Sequence, residues 1–88
     1  AMRLFDNATT KQMYLTGGLG QTWRNEGFTH DYDLPNDTNY CETCAGISLI
    51  FWARKMLALH SDSHYAEVIE RALYNNTLGA MALDGKSF

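Results

Sequence analysis

The sequence predicts an all-α chain folded as one unit over residues 1–88, and three observations carry that expectation. Residues 65–77 repeat apolar side chains at helical spacing, residues 39–59 contain no proline and one glycine, and residues 60–63 leave only a short link between the two segments. A link that short turns consecutive helices into an antiparallel α-hairpin. The chain falls below the ~100–150 residues typical of a domain, so two independent domains are excluded.

Composition agrees with a folded chain. Apolar residues make up 45% and charged residues 19%, the balance of a protein that buries a core. The net charge is -3 and no stretch clusters Lys and Arg, so neither nucleic acid nor a membrane is expected as a partner. The longest apolar-and-small run, Ala45 to Ala53, is far short of the ~20 residues that span a bilayer, and no leader pattern opens the chain. A soluble, cytoplasmic protein is expected, with Ala1 reading as an addition ahead of a native Met2.

In chain order, Met2 to Leu15 is the weakest helix, with Leu4, Phe5, Ala8 and Met13 as its apolar contacts. Thr16-Gly17-Gly18-Leu19-Gly20 ends it as a turn; a phosphate loop would need a preceding strand and other glycine spacing. Residues 21–38 form a long irregular loop, and loops of that length are usually functional. Asn39 to Leu59 is the long helix, with Asn39 and Glu42 spaced as an N-terminal cap. Its apolar side chains, Ile47, Phe51 and Trp52 among them, spread around the cylinder, so it needs cover that one other strong helix cannot supply. Association into a homo-oligomer, or sequence outside this chain, would provide it.

The next helix places Tyr65, Val68, Ile69, Ala72 and Leu73 on one face, with Asp62 and Ser63 as caps, Glu67 and Arg71 as an i,i+4 pair, and Gly79 as terminator. Ala80 to Leu83, Asp84-Gly85 and Lys86 to Phe88 spell the start of a C-terminal β-hairpin whose second arm is cut short.

The residues that could carry chemistry gather in the middle of the chain. Between Arg24 and Arg54 stand Glu26, Asp31, Asp33, Asp37 and Glu42 with no Lys or Arg, interleaved with Trp23, Phe28, His30, Tyr32 and Tyr40. Composition allows a solvated acidic loop, or a sugar-binding cleft whose carboxylates do acid/base work. Cys41 and Cys44 lack both the βαβ context of a redox pair and the second C-x-x-C of a zinc site. In a regular helix Glu42 and Cys44 would point about 200° apart, so they could share a metal only in an irregular first turn. His30, His60 and His64 show no metal-ligand spacing.

Six segments in order carry a resemblance: Tyr14-Leu15-Thr16-Gly17-Gly18-Leu19-Gly20, Glu26-Gly27-Phe28, Tyr32-Asp33-Leu34-Pro35-Asn36-Asp37-Thr38, Glu42-Thr43-Cys44-Ala45, Glu70-Arg71-Ala72-Leu73-Tyr74-Asn75 and Leu83-Asp84-Gly85-Lys86. Their order and spacing resemble the glycoside hydrolase family 127 β-L-arabinofuranosidases over essentially the whole chain. The resemblance implies a fragment of an (α/α)6 barrel acting on L-arabinofuranosyl glycans. It also implies a zinc ion held by one glutamate and three cysteines, and a retaining mechanism with a cysteine nucleophile and a glutamate acid/base.

By position, Glu26 matches the acid/base, and Glu42 and Cys44 match two of the zinc ligands. The other two cysteines, nucleophile included, fall beyond Phe88, and Cys41 is no substitute by position. The zinc site is therefore expected to be incomplete in this chain, and the chain alone inactive. The rival reading is a non-catalytic helical oligomerisation module left by truncation.

Overall fold

A computed structural model describes residues 1–87 and is helical throughout its core. The first helix, α1 (Met2–Asn7), widens without a break into π-helical turns over Ala8–Gln12. A single 3-10 turn, Arg24–Glu26, interrupts the loop that follows. The long helix α2 spans Thr43–Leu59, and α3 spans Ser63–Arg71 before widening into π-helical turns over Ala72–Thr77. Among the described residues no helix is long and apolar enough to cross a membrane.

Helix α3 forms for the reasons its sequence gives. The Asp62 carboxylate accepts the His64 N–H at 2.9 Å, satisfying a donor that the first turn would otherwise leave open. Arg71 reaches Glu67 one turn back at 2.7 Å. Tyr65, Val68 and Ala72 are buried, so the apolar stripe faces inward. It meets the matching stripe of α2, where Gly46, Leu49, Ala53 and Met56 are the buried positions. These two helices form the antiparallel pair that the short link requires.

Helix α1 closes the core through Phe5, which is 0% exposed. Its ring stands edge-on to Trp52 and Tyr65, each with centroids 5.1 Å away, and to His64 at 5.9 Å. Edge-to-face pairs of this kind add about 0.5–1.5 kcal/mol each beyond area burial. Leu4, expected beside it, is instead exposed, because residue 4 lies about 100° round the helix from Phe5. The helix ends at Gln12 rather than Leu15, since Met13 turns extended to bridge Leu19 across the glycine turn.

That turn is a packing device. Gly17 sits at φ +91°, and a Cβ on it would lie 2.8 Å from the backbone nitrogen of Ala72, so only glycine lets the turn seat against α3's extension. Gly20, at φ +116°, lets its carbonyl accept the Tyr40 N–H at 3.0 Å, which ties the turn to the approach of α2.

Three expectations need correction. The Asn39–Glu42 cap does not form: Asn39 donates its side-chain amide to the Asn36 carbonyl at 3.1 Å, holding a turn, and α2 starts only at Thr43. Gly79 follows the end of α3's extension without adopting the left-handed conformation of a terminating glycine; a Cβ there would lie 2.5 Å from the Asn75 carbonyl oxygen. The C-terminal hairpin appears as a turn without strands among the described residues. The Gly85 N–H reaches the Ala82 carbonyl and the Ala82 N–H reaches the Ser87 carbonyl, both at 2.8 Å, yet Leu83 is fully exposed. An isolated two-stranded arm with no face to bury is marginal at best. Phe88, the end of its second arm, lies outside the described residues.

One face of α2 stays open. Phe51 is 67% exposed and Leu59 72%, with Ile47 beside them, while Trp52 is half-buried against Phe5. The chain thus covers one side of a helix that is apolar on more than one.

Candidate functional site

The loop between the glycine turn and α2 carries Glu26 in an unusual backbone. Asn25 and Glu26 stand at φ 60° and 46°, and Tyr32 at φ 63°, three left-handed residues that are not glycine. Each such position costs of order 1–3 kcal/mol and persists only where its surroundings fix it. Here an antiparallel bridge from Thr22 to Gly27 closes the tight loop, with Glu26 directly before its closing residue.

Glu26 and Glu42 line the same cleft, of about 300 Å³, with Phe28 and Tyr40 from the loop and Ser48 and Trp52 from α2. Its helical wall is Ala45, Ser48, Leu49 and Trp52, spaced i, i+3, i+4 and i+7 along one face. That periodicity was available in the sequence, where the all-round apolar character of the helix masked it. Tyr40 lies within the field of both acids. Its phenol is held above the ordinary value, first by the negative charge of Glu42 and by a hydrogen bond to that carboxylate, then by burial and the charge of Glu26.

Glu42 and Cys44 are brought together because α2 starts late. Glu42 is extended, at φ -82° and ψ 143°, and not in a helical turn. The ~200° separation of a regular helix is thereby removed, and the Cys44 thiol donates to Glu42 Oε2 at 3.2 Å. This contact, with partial burial and the carboxylate's charge, raises the thiol above its ordinary pKa. The pair offers one oxygen and one sulfur donor side by side. Two ligands of one tetrahedral zinc would stand about 3.5 Å apart, so their spacing suits that ion. Among the described residues no three His, Cys, Asp or Glu side chains come together as a metal-holding group.

The remaining candidates lie elsewhere. Cys41 faces the glycine turn, its thiol 3.8 Å from the Gly20 carbonyl and raised in pKa by burial. His30 is a surface group 3.8 Å from Asp33, and His64 bonds the Thr9 hydroxyl at 3.1 Å within the α1–α3 contact. Asp31 belongs to a surface cluster with Asn7, Lys11 and Gln12. Lys11 foremost, with these hydrogen bonds, holds its carboxyl below the usual range.

Comparison with known proteins meets this geometry from three directions. The family described as β-L-arabinofuranosidase, GH127 catalytic domain, matches residues 1–88. A non-reducing end β-L-arabinofuranosidase of Bifidobacterium longum subsp. longum is 46% identical over 88 residues, all of this chain and 13% of that protein. A crystal structure of a GH127 β-L-arabinofuranosidase from Geobacillus stearothermophilus T6 superposes with a TM-score of 0.92 at 58% identity, over 96% of this chain and 13% of that one. The GH127 β-arabinofuranosidase BT3674 superposes equally well, with a TM-score of 0.92 at 43% identity and the same coverage of both chains. This chain therefore spans about an eighth of each relative's length, and over that stretch it belongs to the GH127 β-L-arabinofuranosidase catalytic-domain family.

Proposed function

We propose that the chain is the part of a retaining β-L-arabinofuranosidase barrel that contributes the acid/base and half of a zinc shell. The observation that carries this reading is the cleft itself: Glu26 and Glu42 line one wall-to-wall space, and Cys44 lies against Glu42. A carboxyl beside the closure of a fixed loop, on the wall of the cleft, would give its proton to the glycosidic oxygen as the C1–O bond breaks. The resulting carboxylate then takes a proton from the water that attacks C1. The aromatic side chains of Phe28, Tyr40 and Trp52 supply apolar walls for a sugar ring.

Glu42 and Cys44 would hold zinc, with the Tyr40 phenol beside Glu42 in the same cleft. When bound, zinc keeps its cysteine ligands as thiolates at neutral pH. The remaining ligands, and the cysteine nucleophile of a retaining reaction, come from sequence outside these 88 residues. So does the desolvation an acid needs, because Glu26 is exposed here and Phe28 is 53% exposed. The chain alone is accordingly inactive.

The test is a chimera in which this chain replaces the matching residues of the Bifidobacterium longum relative. The chimera should hydrolyse methyl β-L-arabinofuranoside. Glu26→Gln should lower kcat by about 10²–10⁴-fold, the share a general acid supplies, and Cys44→Ser should lower zinc content. A folded, zinc-loaded chimera indifferent to Glu26→Gln would refute the assignment.

The open apolar face of Ile47, Phe51 and Leu59 favours a second reading, an assembly surface occupied by another copy of the chain. Sedimentation of the 88-residue chain tests it: a monodisperse monomer would remove the need for outside cover.

A further inference from the structure

The chemistry of the cleft rests on a loop whose backbone is strained, and something must hold that loop. Gln12 and Gln21 are 6% and 1% exposed, a depth at which a neutral amide is costly unless hydrogen-bonded. Gln12 spends both ends of its amide on one segment. Its Oε1 accepts from Gln21 Nε2, at the start of the loop, and its Nε2 donates to Asp31 Oδ1 at 2.8 Å, at the far side. One residue earlier in the helix, the Lys11 carbonyl accepts the N–H of left-handed Tyr32 at 2.9 Å. Residues 22–30, with Glu26 at their centre, are thus clamped at both ends to one turn of helix.

We infer that Gln12, with Gln21 and Asp31 as its two arms, is the positioning residue that fixes Glu26 for proton transfer. This inference rests on the acid/base reading of Glu26. The clamp is built for geometry rather than for stability alone. An apolar pair at positions 12 and 21 would fill the same space with no buried amides, and Gln21 Oε1 is left without a partner. The left-handed Asn25 and Glu26 tend to relax once the loop ends are free, and relaxation moves the carboxyl while leaving the helical core intact.

The experiment uses the chimera defined above, with Gln12→Met and Gln21→Met, which keep volume and remove the amides. Two substrates are compared: methyl β-L-arabinofuranoside, whose alkoxide leaving group needs the proton, and the 4-nitrophenyl glycoside, whose leaving group scarcely does. A displacement of ~1 Å costs about 10²-fold. The expected result is a loss of that order in kcat/KM on the methyl glycoside, which reads the glycosylation step alone, and a much smaller loss in kcat/KM on the nitrophenyl glycoside. Equal losses of kcat/KM on both substrates, or an unchanged kcat/KM on the methyl glycoside, would overturn the clamp.

If Gln12→Met does not fold, Asp31→Ala removes the same arm from its exposed end and must show the same contrast in reduced size. Glu26→Gln in the unaltered chimera separates the two claims. If its loss in kcat/KM is independent of leaving group, the acid/base reading fails; if that loss shows the contrast and the loss in Gln12→Met does not, the clamp fails alone.

Discussion

Replacing Gly17 by alanine should be among the most damaging single-methyl changes in this chain. Two costs add. The residue sits at φ +91°, where an L side chain meets the adjoining carbonyl and loses about 1–2 kcal/mol. The new Cβ would also stand 2.8 Å from Ala72 N, 2.9 Å from Ala72 Cα and 3.0 Å from the Arg71 carbonyl carbon, backbone atoms that no rotamer change can move. Overpacking of this kind costs about 1–3 kcal/mol. Together they give roughly 2–5 kcal/mol against a total stability of about 5–15.

Gly27→Ala is the internal control: Gly27 is extended at φ -138°, its nearest neighbour would lie 3.5 Å away, and alanine there should cost nothing or add a few tenths of a kcal/mol through the unfolded chain. Urea unfolding followed by tryptophan fluorescence reads both, because Trp52 packs on Phe5 while Trp23 is already exposed in the fold. Gly17→Ala no more destabilising than Gly27→Ala would refute the packing role of the glycine turn.

Other expectations follow from single contacts. Phe5→Ala should cost about 3–5 kcal/mol by the same urea assay, since the buried ring joins α1 to both α2 and α3. Asp62→Ala, which removes the cap of α3, should cost about 1 kcal/mol, seen as lost helical circular dichroism near the melting midpoint. Asp31 has a lowered folded pKa, so its contribution is present above the ordinary carboxylate value of 3.8 and lost as pH falls through the folded value. Stability curves of the parent and Asp31→Asn should therefore differ at neutral pH and converge in strong acid.

The α2–α3 pair was legible because its apolar spacing is helical and its link short, and both features survive in the structure. The cap of α2 was not, because Asn39 can serve either a helix or a turn, and the Asn36 carbonyl three residues back won it. Leu83, Asp84 and Gly85 carry every local mark of a hairpin, but no strand forms beside them among the described residues, a fact no local pattern contains.

For the site, the positions of Glu26, Glu42 and Cys44 came from family resemblance; the structure adds that the first two share a cleft and the last two touch. The clamp through Gln12 was illegible, since glutamine at positions 12 and 21 reads as surface until tertiary contacts bury it.

The measurement that bears most directly on the role of Glu26 is the chimera carrying Glu26→Gln, assayed side by side on methyl and 4-nitrophenyl β-L-arabinofuranoside. Turnover of the methyl glycoside should collapse while the nitrophenyl glycoside keeps most of its glycosylation rate, because only the first depends on a donated proton. Equal loss of the glycosylation rate, read as kcat/KM, on both, or no loss on either, would show that the proton comes from another group and that Glu26 is only a residue of a strained loop.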